Sequence, residues 1–445
     1  MKVYLIFKKA KVKKYFIQRK ERMIAMADKK QKLERPRVIM TTDSEIDDKC
    51  SLIRFLSYTN EFDIEGIISV NSQYQKDGHG EIWIHEMIEK YSEVYENLIK
   101  HDSNYPEPKK LHSITWQGMV DRAPIYADAP PYRDTKGSDL IIEKLLDDDP
   151  RPVYISMWGG GTMTAHAFWK IKNEYSQVMF ERAVKKARMY FIWYQEIGTG
   201  GGQWLRDNVP EALNIRDEQF DGTWNYRPRS DQPYENLMGE EWMTENVKKD
   251  HGPLGAEYYS MGDELYVSEG DTPSFLWIVP NGLRSRENPS FGGWGGRHMN
   301  IGNNQWDTAC DGGDERKPMW RWMPAVQNDW AARLDWCVMD YEEANHHPAA
   351  EIEGELDRVV TPGEEIILDA SNSSDPDGDQ LEFNWWQYYD ADSCEKEIDI
   401  INSDSARAEF VVPDNPGQKI HVILGLKDKG VPPLTSYRRI IFSIE

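Results

Sequence analysis

The stretch Arg37-Val38-Ile39-Met40-Thr41-Thr42-Asp43-Ser44-Glu45-Ile46-Asp47-Asp48-Lys49-Cys50 decides how the rest of the chain reads. Val38 to Met40 is an apolar run of the length of a buried strand. Thr42 to Asp47 then holds five acidic or hydroxyl side chains in six residues, with Asp48 directly after. Leu52, Ile53, Phe55 and Leu56 follow at helical spacing. The carboxylates therefore fall on a strand-to-helix turn, where open parallel α/β sheets bind their ligands. Aspartates this close raise one another's pKa. A hard cation relieves them, since Ca2+ takes several oxygens at about 2.3–2.6 Å in irregular geometry. The simpler reading of the same acids is a helix N-cap and a first turn that complements the helix dipole.

Outward from this turn, short apolar runs alternate with amphipathic helices as far as about residue 345. Residues 63–70 and 153–157 and 189–194 read as strands. Residues 80–99 read as a helix with Ile84, Met87, Ile88, Tyr91, Tyr95, Leu98 and Ile99 on one face, and 138–146 as another with Ser138 near its N-cap. The glycines 159–161 lead into a helix over 164–171. Such alternation predicts an α/β fold, a mostly parallel sheet flanked by helices. Residues 198–265 are rich in Gly, Trp, Asn and Asp and poorly periodic, as functional loops are.

The chain has 445 residues, enough for more than one domain, and 17 tryptophans with 39% hydrophobic residues supply a large core. Its net charge of −23 argues against nucleic acid and anionic membranes as partners and leaves neutral ligands such as nucleosides and glycans open. Cys50, Cys310, Cys337 and Cys394 have no metal-type spacing and read as buried free thiols, with a Cys310–Cys337 disulfide as the alternative. Residues 1–36 are basic, unlike the remainder. Val3 to Phe7 is shorter than the ~7–15 apolar residues of a signal peptide. The segment reads as a degenerate export signal, a surface-associating tail or a misassigned start. No stretch reaches the ~18 apolar residues of a membrane span.

Thr41 to Asp48 resembles the Asp-Thr-Asp-x-Gly-x-Asp-Asp signature of nucleoside hydrolases, keeping Asp43, Asp47 and Asp48 and departing at Thr41 and Glu45. A closer resemblance is to bacterial nucleoside-hydrolase-like proteins described as cellulose-binding, which carry an immunoglobulin-like C-terminal domain. It rests on Trp158-Gly159-Gly160, Gly270-Asp271-Thr272-Pro273-Ser274-Phe275, Trp294-Gly295-Gly296-Arg297 and Asp375-Pro376-Asp377-Gly378-Asp379, in order across nearly the whole chain. The resemblance implies a Ca2+ held by Asp43, Asp48, Asp271 and the Thr162 carbonyl. It implies that Asp43 takes a proton from the attacking water and that Asp47 holds a sugar hydroxyl. Asn214, in Pro210-Glu211-Ala212-Leu213-Asn214-Ile215, matches a ribose contact, and Asn71 after the second strand is a further candidate. Gly270 stands where the hydrolases carry a histidine associated with protonating a purine leaving group. Trp294 and Arg297, amid glycines, combine a sugar platform with a cation; a buried loop anchor is the other reading of Trp294.

Near 346 the character changes. His346-His347-Pro348-Ala349-Ala350 reads as a linker, and 351–445 as an immunoglobulin-like β-sandwich with strands over 365–368, 381–386, 408–412, 419–426 and 438–444. Asp375, Asp377 and Asp379 resemble the start of an EF-hand loop without its distal Glu. The expected function is Ca2+-dependent hydrolysis of N-glycosidic bonds in a ribose-type substrate. The rival is a carbohydrate- or cellulose-binding protein on the same scaffold, with an O-glycoside hydrolase as a third reading. Members of the resembled family are often exported, so a periplasmic or extracellular location is expected.

Overall fold

The computed structural model describes residues 35–75, 80–119, 133–196, 200–224, 233–259 and 264–445. The basic segment read over 1–36 thus lies almost wholly outside the described residues. Eight strands form one sheet: β1 (Arg37–Thr42), β2 (Asp63–Ser69), β3 (Thr115–Gln117), β4 (Val153–Met157), β5 (Ala187–Ile192), β6 (Leu213–Asp217), β7 (His298–Gly302) and β8 (Gln305–Thr308). Their order is β3-β2-β1-β4-β5-β6-β8-β7, all parallel except the edge strand β7. The chain runs from β1 outward through β2 and β3, then returns to the other side of β1 at β4. This reversal is the topological switch point at which doubly wound sheets leave a crevice beyond their carboxyl ends.

Every residue of β1 is buried, because helices cover both faces. Val38 and Met40 point into one apolar cluster and Ile39 into the other, as the period of two in a strand requires. The first cluster holds α1 (Ile46–Ser57) and α2 (Ile82–His101), whose buried stripe runs Trp83, Ile84, Met87, Ile88, Tyr91, Val94, Leu98. The second holds α3 (Lys136–Leu146), α4 (Thr162–Glu174), α5 (Gln177–Lys186) and α6 (Gly201–Asn208). The cap of α3 is Thr135 rather than Ser138. The Thr135 hydroxyl accepts from the Ser138 amide at 3.0 Å, and Ser138 Oγ accepts from the Thr135 amide at 2.9 Å. The hairpin β7–β8 went unread in the sequence. Its turn is Asn303-Asn304, both at positive φ of 50° and 59°, a pair that favours a type I′ turn. No helix among the described residues is long and apolar enough to cross a membrane.

The C-terminal region is a β-sandwich of β9 (Asp357–Val360), β10 (Glu365–Asp369), β11 (Glu382–Gln387), β12 (Arg407–Val411), β13 (Lys419–Lys427) and β14 (Thr435–Ile444). One sheet is β11-β13-β14-β9 and the other β10-β12. Leu368, Trp385, Phe410, Val422, Leu424 and Phe442 fill the space between them. The outer face of the larger sheet, with Tyr388, Ile423 and Tyr437, joins the core of the α/β region. Trp322 packs there edge-on to Tyr388 and Tyr437, with ring centroids 6.0 and 5.4 Å away. Residues 346–350, read as a linker, are largely packed: His346 stacks on Tyr341 at 3.9 Å, and Ala350 is buried.

Arg439 on β14 is fully buried in this junction without a carboxylate. Its Nε donates to the Leu283 carbonyl at 2.7 Å, its Nη2 to the Gly292 carbonyl at 3.0 Å, and its Nη1 to His421 Nδ1 at 3.0 Å. Burial lowers its pKa to about 9. An acceptor left buried without a donor costs ~1–3 kcal/mol. Arg439→Ala is therefore expected to cost about 2–3 kcal/mol, read as a lower denaturant midpoint. Arg439→Lys should recover little, since an ammonium does not reproduce the planar fork.

Candidate metal and active site

Asp43, Ser44 and Glu45 connect the carboxyl end of β1 to α1. Ser44 takes φ 72°, which turns the chain sharply enough to start the helix at once. Glu45 sits at the N-cap, yet its side chain makes no capping bond. Asp48 instead folds back from the first helical turn. Its Oδ1 accepts from the Asp43 amide at 3.0 Å and from the Thr42 hydroxyl. The plain capping reading of these acids therefore leaves Asp43 and Glu45 unaccounted for.

Asp271 precedes the short helix α7 (Thr272–Leu276), more than two hundred residues from β1 in the chain. Ser274 fastens it in place: Ser274 Oγ donates to the Asp271 carbonyl and accepts from Trp158 Nε1, both at 2.7 Å. The Trp158 amide donates to the Thr41 carbonyl at 2.9 Å, so the turn after β4 ties β1 and α7 together. In that turn a side chain at Gly159 would put its Cβ 2.8 Å from Asp43 Cβ, so glycine is required for the approach.

One carboxylate oxygen from each of Asp47, Asp48 and Asp271 lies within 4.8 Å of the others, and the same holds for Asp43, Glu45 and Asp48. Both oxygens of Asp43 and Oδ2 of Asp271 are buried, and among the described residues none has a partner at full hydrogen-bond geometry, Ser72 being the neighbour that favours the ionised Asp43. Burial, then the charge of Asp48, pushes Asp43 well above the usual carboxylate range. Asp271 is pushed up likewise by burial and then by Asp48, Asp47 and Asp43. Burial, with Asp47 and Asp48, raises Glu45 to about 8. Burial raises Asp48 despite the opposing hydrogen bonds. No lysine, arginine or histidine among the described residues forms a salt bridge with Asp43, Asp48 or Asp271. An all-oxygen, rigid donor set of this kind fits a hard divalent cation.

The other sequence candidates divide. Asn71 belongs to the site's rim, its carbonyl accepting from the Gly160 amide at 2.9 Å. Thr162 opens α4, and helix geometry directs its carbonyl toward the amide four residues on. What this loop sets against Asp43 is Gly159. Asn214 is not with the carboxylates. It lies near the amino end of β6, fully buried, accepting from the Tyr194 hydroxyl at 3.3 Å. The segment that resembled a ribose contact begins its strand instead of ending it. Trp294 is not an exposed platform: it is 2% exposed and packs edge-on to Tyr437 in the junction. Arg297 is spent on Asp311, its Nε donating to Oδ1 at 2.6 Å. The glycines around both residues form a tight loop under the β-sandwich.

Two exposed aromatics that the sequence left unmarked lie in loops after the carboxyl ends of strands. Trp193 follows β5 at a positive φ of 56° and is 41% exposed; Tyr74 follows β2 and is 53% exposed. The Gln73 amide donates to the Gln195 carbonyl at 2.8 Å, joining their two loops. Beneath them Glu196 Oε1 accepts from the amides of Gly161 and Gly202 at 2.6 and 2.8 Å, pinning the starts of α4 and α6. An acid after a strand and before a glycine run is the faint signal that could have found it.

The family described as cellulose-binding Sde182, nucleoside hydrolase-like domain, matches residues 37–298. The chain belongs to this family. The C-terminal domain of cellulose-binding protein Sde0182 matches residues 365–444. A solved structure of a nucleoside hydrolase-related hypothetical protein from Saccharophagus degradans, associated with carbohydrate metabolism, is 34% identical, with a TM-score of 0.80 over 92% of this chain and 100% of that one. A plant nucleoside hydrolase, PpNRh1, is 10% identical with a TM-score of 0.36 over 68% of this chain and 99% of that one, too distant to carry an argument. No curated protein matches the chain. The nucleoside hydrolase-like fold seen in this chain is thus the one by which the family is described.

Proposed function

We propose that the chain hydrolyses an N-glycosidic bond of a ribose-type substrate with the help of a bound Ca2+. The observation that carries this reading is the cluster of buried carboxylates at the switch point, with Asp43, whose oxygens have no partner at full hydrogen-bond geometry among the described residues, beside Asp48. Asp48, Asp271 and Asp43 would hold the ion, with Asp47 and Glu45 close enough to share it or to take a sugar hydroxyl. A bound Ca2+ supplies Lewis acidity, fixing a sugar diol and lowering the pKa of a neighbouring water. Asp43, positioned by Gly159, accepts the proton of the attacking water. The surrounding carboxylates favour the positive charge that develops on the sugar. Gly270 offers nothing to protonate a leaving group, so substrates with good leaving groups should react fastest.

A second reading has its own support. The family's cellulose-binding description, and the exposed Trp193 and Tyr74 in loops after β5 and β2, favour a carbohydrate-binding protein without turnover. In either case the ligand is a neutral sugar compound, and we place the protein in the periplasm or outside the cell, where cellulose would be met.

The two readings separate on a substrate panel that includes p-nitrophenyl riboside, run beside cellulose pull-downs. Turnover is expected to be highest on the activated riboside. Asp43→Ala should lower kcat by ~10²–10⁴-fold, the span of a general base. Trp193→Ala should raise KM more than it lowers kcat. Cellulose binding that survives Asp43→Ala, with no activity on any N-glycoside or on the activated O-riboside, would overturn the hydrolase and leave the binding protein.

A further inference from the structure

Apart from the carboxylates beside β1, a second group of buried oxygens has no hydrogen-bond partner among the described residues. Asp428, after β13, is fully buried. Its Oδ1 accepts from the amides of Gly430 and Leu434 at 2.9 and 3.0 Å and from Asn345 Nδ2 at 2.9 Å, whereas its Oδ2 has no partner. Asn345 is 5% exposed. Its Nδ2 is shared between Asp428 and the Pro432 carbonyl, at 2.8 Å from the latter, and its Oδ1 has no partner. Asp375 opens the turn 375–379. Its Oδ1 accepts from the amides of Asp377 and Asp379 at 2.9 and 3.0 Å, and its Oδ2 is buried without a partner. In each side chain one polar atom is fastened, so the free oxygen is held in a fixed direction. Buried oxygens of this kind are costly unless something binds them.

Asn345 and Asp428 are in direct contact, and the backbone ties the segment carrying Asn345 to the turn carrying Asp375. Ala349 and Ser374 exchange backbone hydrogen bonds at 2.7 and 3.1 Å, and the His346 amide donates to Asp377 Oδ2 at 2.7 Å. The segment carrying Asn345 is thereby stitched to the turn carrying Asp375. Asp428 and Asp375 are close enough to feel each other: burial first, and among lesser causes the charge of Asp375, raise the pKa of Asp428. Neighbouring cations are engaged elsewhere. His346 Nδ1 faces Asp377 at 3.1 Å, and Lys429 pairs with Glu382 at 3.4 Å.

We propose that Asp375, Asp428 and Asn345 form an oxygen-only site for Ca2+ that locks the β-sandwich onto the α/β region. Two carboxylates and an amide carbonyl, without thiol or imidazole, suit a hard cation that completes its shell with water. The aspartate turn noted in the sequence supplies one ligand. The other two come from residues 30 positions before it and 53 after it. The site is independent of the catalytic reading above.

The test is calcium stoichiometry of the full chain by equilibrium dialysis, with Tb3+ luminescence sensitised by Tyr341 and Trp336 as a local readout. The wild type is expected to bind two ions, Asp375→Asn one, Asp48→Asn with Asp271→Asn one, and the combined variant none. The Tb3+ signal should vanish with Asp375→Asn and persist in the Asp48 and Asp271 double variant. A wild type that binds one ion, lost with Asp375→Asn, would uphold this site and overturn the one at β1. A count and a Tb3+ signal unchanged by Asp375→Asn would refute the junction site. Asp428→Asn should behave as Asp375→Asn; if it fails to fold, the Asp375 variant on its partly exposed turn decides.

Discussion

Replacing Asp48 by Asn is expected to stabilise the calcium-free protein and to abolish the stabilisation that calcium gives at the β1 site. Asn Oδ1 can still accept from the Asp43 amide and the Thr42 hydroxyl, so the turn keeps its closure. What disappears is one buried charge among Asp43, Glu45, Asp47 and Asp271. The pH dependence has a definite sign. Glu45, Asp43 and Asp271 have folded pKa values raised above their unfolded ones. The folded state therefore binds more protons, and calcium-free stability falls as pH rises from about 4, with Glu45 titrating near 8. Saturating calcium removes this fall, because the ion binds the ionised form. At a free concentration a hundredfold above Kd the gain is about 2.7 kcal/mol. Melting temperatures at pH 5 and 8, with calcium and with chelator, read both effects. A calcium-free protein that grows more stable from pH 5 to 8, or an Asp48→Asn variant with an undiminished gain, would count against the cluster as a cation site.

Glu269→Ala should be the most damaging single change in the α/β region, at about 3–5 kcal/mol, the cost of stranding one partner of a buried ion pair. Arg54 is fully buried with its guanidinium 3.7 Å from the Trp330 ring and 5.2 Å from that of Trp224. Its Nε and Nη2 donate to Glu269, and Nη2 also to Gln327 Oε1 at 2.8 Å. Glu269 in turn accepts from the hydroxyls of Tyr258 at 2.9 Å and Thr272 at 2.8 Å. Thr272 adjoins Asp271, so the loss should reach the metal cluster as weaker calcium affinity. Glu269→Gln keeps the acceptor but not the charge and should cost less. The denaturant midpoint and a calcium titration of both variants check this. An Ala variant within 1 kcal/mol of wild type would mean the pair is not what holds the start of α7.

Some of this site was legible along the chain and some was not. Asp43, Asp47 and Asp48 announce themselves because a strand, an acidic turn and a helix follow one another without a gap from Arg37 to Ser57. Asp271 has no local signal beyond a capping position, and the family resemblance was needed to single it out. Asn214 and Trp294 mislead for one reason. A residue type that suits a sugar contact suits equally well a buried strand start or an apolar junction, and only burial distinguishes them.

The sequence by itself determined the alternating strands and helices, the strand-to-helix acidic turn and the change to short strands after 346. These follow from period, turn chemistry and local composition, which each segment carries alone. Only the tertiary structure decided that Asp271 meets Asp47 and Asp48, that Glu269 is answered by Arg54, and that Trp294 belongs to the junction with the sandwich. It also decided that Asn345 meets Asp428, and that the neighbouring segment is tied to the aspartate turn by the pairing of Ala349 with Ser374 and of His346 with Asp377. The physical reason is that charge compensation and burial are sums over neighbours in space. Residues far apart in the chain enter those sums only once the sheet order and the packing of the sandwich bring them within reach.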